Sequence, residues 1–154
     1  MSELLDEEQA QQLKRMQRMK IMRAIDLVTD GGDFYQQAKS LGTEAARALG
    51  RDKRSQITGL ESLANSSQKV TDVFDYIKLR TARQKEWRIE SFGSQLLDFL
   101  EQTLPKKRQE VLDHTGITEP GLAQQQDIYM LLIRTFLAHL AAQYEYACQE
   151  QGGT

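Results

Sequence analysis

Apolar residues recur at three- and four-residue spacing almost from end to end, and only two prolines, Pro105 and Pro120, interrupt them. No run of β-branched residues alternates with polar ones, so no segment reads as a strand. Gln, Glu, Lys, Arg, Ala and Leu, which are good helix formers, dominate the composition. The pattern predicts an all-α fold. The 154 residues suffice for one modest core and are too few for two. The expectation is therefore a single-domain helical bundle over 1–154, with about five to seven helices and a long N-terminal one.

Periodicity begins near Leu4 and continues through Leu13, Met16, Met19, Met22, Ile25 and Val28 to Gly31-Gly32, where a left-handed C-cap costs little. Four of the five methionines lie here or at Met1. A soft, adaptable methionine face suits a partner, but helical spacing favours gap-filling core residues. Asp33 is positioned to cap a second helix carrying Phe34, Ala38, Leu41, Ala45 and Leu49, with Gly50 just past its end. A third helix starts near Ser55 with Ile57, Leu60, Leu63 and Ala64. Beyond the polar break Asn65-Ser66-Ser67, Val70, Val73, Phe74 and Ile77 extend the pattern, as one kinked helix or two. Ser91 is expected to cap a helix bearing Phe92, Leu96, Phe99 and Leu100, and Pro105 to end it. A short helix from Pro105 to about His114 stops at Gly116. Thr118 and Pro120 open the last helix, with Leu122, Tyr129, Leu132, Ile133, Phe136, Leu140, Tyr144 and Ala147 on its apolar face. Residues 149–154 are expected to fray.

The formal charge of −2 conceals a polarised chain. Residues 47–88 hold ten basic and five acidic side chains, while residues 1–46 sum to −2 and residues 89–154 to −5. A polyanion is attracted to the middle and repelled by the flanks. At about 100° per residue, Tyr76, Arg80, Arg83 and Trp87 form one longitudinal stripe, with Lys69 on the same azimuth. Guanidinium groups suit phosphate oxygens, and aromatic planes stack on exposed bases. The competing reading is that Tyr76 and Trp87 are boundary core residues crossed by arginine stems. The RNA-binding set under the first reading is Lys53, Arg54, Lys69, Lys78, Arg80, Arg83, Lys85, Trp87 and Arg88. Lys106-Lys107-Arg108 and the cations of the first helix are further basic runs.

Catalytic signatures are absent: the sequence contains no glycine-rich phosphate loop, HExxH, paired-cysteine metal spacing or nucleophile elbow. His114 and His139 have no nucleophile placed beside them by sequence, and both read as structural. The expectation is a protein without catalytic function, cofactor or metal. The single Cys148 forms no internal disulfide, and the acidic start MSELLDEEQ is unlike a secretory leader, so the cytoplasm is expected. The apolar segment from Ile128 to Cys148 is broken by Arg134, His139, Gln143 and Glu145 and reads as a core helix, not a membrane span.

From Ser55 onward the order of features resembles the small helical subunit of type III CRISPR effector complexes, the Csm-type and Cas-eleven-like proteins. The resemblance rests on Ser55-Gln56-Ile57, then Tyr76-Ile77-Lys78 and Thr81-Ala82-Arg83, then the helix Phe92–Leu104 and the tyrosine-bearing stretch Phe136–Tyr146. It departs at Thr58, where an arginine is usual. The resemblance implies a non-catalytic subunit in antiviral defence, stacked in copies along the effector. Its partners would be guide RNA, target RNA and other effector subunits. The alternative is a helical adaptor or homodimer that uses the methionine-rich first helix and binds no nucleic acid.

Overall fold

The computed structural model describes residues 2–151, and all regular structure among them is helical. Seven α-helices follow in order: α1 (Ser2–Thr29), α2 (Gly32–Leu49), α3 (Arg54–Ser66), α4 (Val70–Arg83), α5 (Phe92–Asp98), α6 (Leu104–Thr115) and α7 (Leu122–Gln151). Among the described residues no helix is long and apolar enough to cross a membrane.

The spine is α7. It buries Ile128, Leu132, Ile133, Phe136, Leu137, Leu140 and Tyr144, a set too wide for one neighbour, and so takes α1, α2, α3 and α6 around it. Its closest partner is α2, whose small residues Ala38, Gly42, Ala45 and Ala46 are all buried. A Cβ on Gly42 would lie 2.6 Å from the Leu140 carbonyl oxygen, so the two backbones meet there. The Phe136 ring stacks on Phe99 at 4.3 Å and takes Phe34 edge-on at 5.6 Å, which ties α2, α7 and the α5–α6 segment into one core.

The break at Asn65-Ser66-Ser67 yields two helices. Arg134, one of the charges interrupting the apolar run of α7, sends Nε to the Ala64 carbonyl at 2.8 Å and Nη2 to the Ser67 carbonyl at 3.0 Å. It thereby satisfies the open carbonyls where α3 ends.

Three local expectations are corrected. Asp33 is not the cap of α2; the helix starts at Gly32, with Gly31 before it. Ser91 does not cap α5 through its side chain; it is left-handed, φ 60°. Pro105 does not end a helix either. The chain runs from α5 through a π-turn (Phe99–Thr103) into α6, and Leu104 N–H donates to the Phe99 carbonyl five residues back. The wider turn shifts the hydrogen-bond register, the Leu100 carbonyl accepts from the Tyr129 hydroxyl, and Pro105 stands at the start of α6, where it is tolerated. At the C-terminus α7 extends to Gln151, and residues 152–154, the rest of the expected frayed tail, lie outside the described residues.

The largest correction concerns α1. Leu13, Met16, Met19 and Met22 are 43–58 % exposed, whereas Ile21, Ala24, Ile25 and Thr29 are buried. A strict three-residue step drifts by about 60° each time, so residues 13, 16, 19, 22, 25 and 28 wind most of the way round the helix instead of holding one face.

Candidate nucleic-acid interface

Helix α4 buries Val70, Val73 and Ile77. Tyr76, Arg80 and Arg83 run beside that face, as their spacing predicts. The stripe does not reach Trp87, because the helix ends at Arg83 and Gln84 is extended, φ −116° and ψ 113°. The chain then turns through a 3-10 segment (Lys85–Ser91) that drives Trp87 inward.

Trp87 is 0 % exposed. Its Nε1–H donates to Gln56 Oε1 at 2.6 Å, and its ring centroid lies 5.2 Å from that of Phe92. A ring without exposed surface cannot stack on a base, so Trp87 is removed from the RNA-binding set. Tyr76 is half-buried, donates its hydroxyl to the Gln56 carbonyl at 2.7 Å, and carries the Arg80 guanidinium 5.1 Å from its ring centroid. The aromatics therefore build the α3–α4 junction around Gln56, in line with the core reading.

The cations are distributed differently. Arg83, Lys85 and Arg88 are exposed and Arg80 is half-exposed, all clustered at the C-terminal end of α4 and the following turn. Arg88 has a structural task as well, since Nη1 donates to the Thr81 and Ala82 carbonyls at 3.0 and 3.1 Å and closes the end of α4. Lys53 and Arg54 precede Gln56 by one turn or less in sequence, but Arg54 lies roughly 160° round α3 from Gln56 and turns towards α7. Arg54 is engaged by Glu145 at 2.9 Å, and Lys53 is half-buried. Lys78 projects roughly 160° round the helix from Tyr76, and Lys69 sits at the other end of α4, about 20 Å away. The structure thus groups Arg80, Arg83, Lys85 and Arg88 at the end of α4 and the following turn, and does not bring Lys53, Arg54, Lys69 or Lys78 into that group.

Between Tyr76 and Lys85 the chain has four basic residues and no acidic one. The salt bridges among the described residues are Arg54 to Glu145 and Lys107 to Glu110, so none of these four cations is in ion-pair contact there, although Glu86 and Glu90 lie in the same turn. Cations here also complement the helix macrodipole. The turn beneath them is strained: Glu90 and Ser91 both adopt left-handed backbone, φ 51° and 60°, and Gln95 Nε2 braces the Glu90 carbonyl at 2.7 Å.

Elsewhere the chemistry is sparse. His114 is exposed, and His139 meets Tyr35 edge-on at 5.2 Å. Cys148 is buried. No group of three or more His, Cys, Asp or Glu able to hold a metal occurs among the described residues. An open cleft of about 560 Å³ between α2 and the α5–α6 segment contains neither histidine nor cysteine in its lining. Glu44 borders that cleft with Oε2 buried and without a hydrogen-bond partner.

Sequence reasoning missed Gln56, which holds both aromatics, and the capping role of Arg88. Both are long-range or cross-turn hydrogen bonds, for which spacing carries no signal. No protein-family model, curated protein or solved structure matches this chain.

Proposed function

We propose that this protein is a non-catalytic RNA-binding subunit of a larger ribonucleoprotein, of the kind formed by the small subunits of type III CRISPR effectors in antiviral defence. The supporting observation is the corner of Arg80, Arg83, Lys85 and Arg88, exposed in whole or part and without an ion-pair partner among the described residues. Phosphate contacts from such a corner fix a nucleic-acid backbone without reading bases. That is the requirement for lining a guide RNA–target RNA duplex whose sequence changes from one guide to the next. With Trp87 buried, affinity comes from cations, not stacking, and binding is correspondingly sensitive to salt. The acidic flanks keep the duplex on this one face, and neighbouring effector subunits would cover the remainder.

The test is Arg83→Glu combined with Lys85→Glu, two exposed side chains that hold no internal hydrogen bond. Association with guide RNA, or with the assembled particle, is expected to weaken by at least about tenfold, since two phosphate contacts are replaced by repulsion. Helicity by circular dichroism is expected to stay unchanged. Lys78→Glu, on the far side of α4, is expected to have a much smaller effect. Undiminished association of the double variant would contradict the proposal.

A further inference from the structure

Helix α1 stands largely outside the bundle. Of residues 2–20, all but Gln17 are exposed, and burial begins at Ile21. A helix takes most of its stability from packing an apolar face, yet here Leu5, Met16 and Met19 present 57 %, 55 % and 58 % of their surface to solvent. Leu5, Gln9, Gln12, Met16 and Met19 are spaced four, three, four and three apart, the spacing of a coiled-coil seam. That seam lies roughly 150° round the helix from Ile21, Ala24 and Ile25, which hold α1 to the body. It is a second stripe, apolar at Leu5, Met16 and Met19 with Gln9 and Gln12 between them, turned outward.

The charges specify what covers it. Glu3, Asp6, Glu7 and Glu8 precede Lys14, Arg15, Arg18, Lys20 and Arg23, with no base in the first group and no acid in the second. A partner helix of either sign would be repelled by one half. A helix with the same order of charges, laid antiparallel, is attracted by both.

We propose that α1 pairs antiparallel with α1 of a second copy of this chain, about a two-fold axis near Gln12. In that register Leu5 packs against Met19 of the other copy, Met16 against its Gln9, and Gln12 meets its counterpart. Glu8 and Arg15 lie on one flank of the seam, and Asp6 and Lys20 on the other. The two-fold sets Glu8 opposite Arg15 and Asp6 opposite Lys20 on both flanks. The contact is isologous and closes on itself, unlike a head-to-tail stack. It leaves the cationic corner of α4 free, because α1 packs on α2, α6 and α7. The seam from Leu5 to Met19 is about 21 Å long, a short contact that makes a reversible dimer and not an obligate one.

The test is sedimentation equilibrium on the pure protein without RNA, at about 100 μM and below. The expected result is a reversible species at twice the 17.6 kDa chain mass. Asp6→Lys with Glu8→Lys is expected to weaken dimerisation by more than about tenfold, and adding Arg15→Glu with Lys20→Glu to restore it. In a Cys148→Ala background, a Leu5→Cys chain is expected to oxidise to a covalent dimer only when mixed with a Met19→Cys chain. A monomer throughout, a dimer indifferent to the charge reversal, or self-crosslinking of the Leu5→Cys chain alone would each overturn the proposal.

Discussion

Gln56 makes two contacts that decide how the α3–α4 junction is read. Its carbonyl accepts from Tyr76 and its Oε1 accepts from Trp87. Trp87→Phe keeps most of the ring volume but orphans a buried amide oxygen, which costs about 1–3 kcal/mol; urea denaturation is expected to show a lower midpoint. Adding Gln56→Leu removes the orphaned group, so the double variant is expected to be more stable than Trp87→Phe alone. An additive loss would show that the hydrogen bond contributes nothing. Tyr129 gives a second test. Its hydroxyl donates to the Leu100 carbonyl in the π-turn, and burial, opposed by Arg108 and reinforced by Glu101, pushes its pKa up from 10.0 to about 12. The folded state then retains a proton that the unfolded chain releases, so stability is complete below pH 10 and declines as pH rises towards about 12. Tyr129→Phe is expected to flatten that alkaline decline in denaturation measured across the range.

At the scale of elements, the sequence exposed the helices but not always their faces. The α2 and α7 stripes follow mixed three- and four-residue spacing and are buried as expected, except for Leu122 at the head of α7, which is 82 % exposed because that first turn has no neighbour over it. The three-residue run of α1 looked similar along the chain yet winds around the helix, so its methionines are exposed. Termination at Pro105 failed because a π-turn shifts the register ahead of it and the distant Tyr129 hydroxyl donates to the Leu100 carbonyl, a device without a local signature. Close approach is likewise silent in composition, although Gly42 makes it testable. Alanine improves helix propensity by about 1 kcal/mol, but its Cβ would press on the Leu140 carbonyl at 2.6 Å. Overpacking of about 1–3 kcal/mol is expected to prevail, lowering the thermal midpoint of Gly42→Ala by several degrees. A raised midpoint would show that α2 and α7 are looser at this crossing.

For the molecule as a whole, charge polarity was legible by counting and the basic corner by projection, because both depend only on residue order. The division of that corner was not legible. Whether Trp87 pointed outward depended on where α4 ended, and the extended Gln84 and the left-handed pair Glu90 and Ser91 decide that. The outcome is a cationic surface without its aromatic component, so the account reduces to a claim about electrostatics. The most direct test is titration of the isolated protein with an RNA duplex at salt concentrations from about 50 to 200 mM. The account predicts weak binding whose logarithm falls linearly with log salt, with a slope of about −3 to −4 for four phosphate contacts, and by about one less for each of Arg83 and Lys85 removed. Binding independent of salt, or a slope unchanged in those variants, would contradict it.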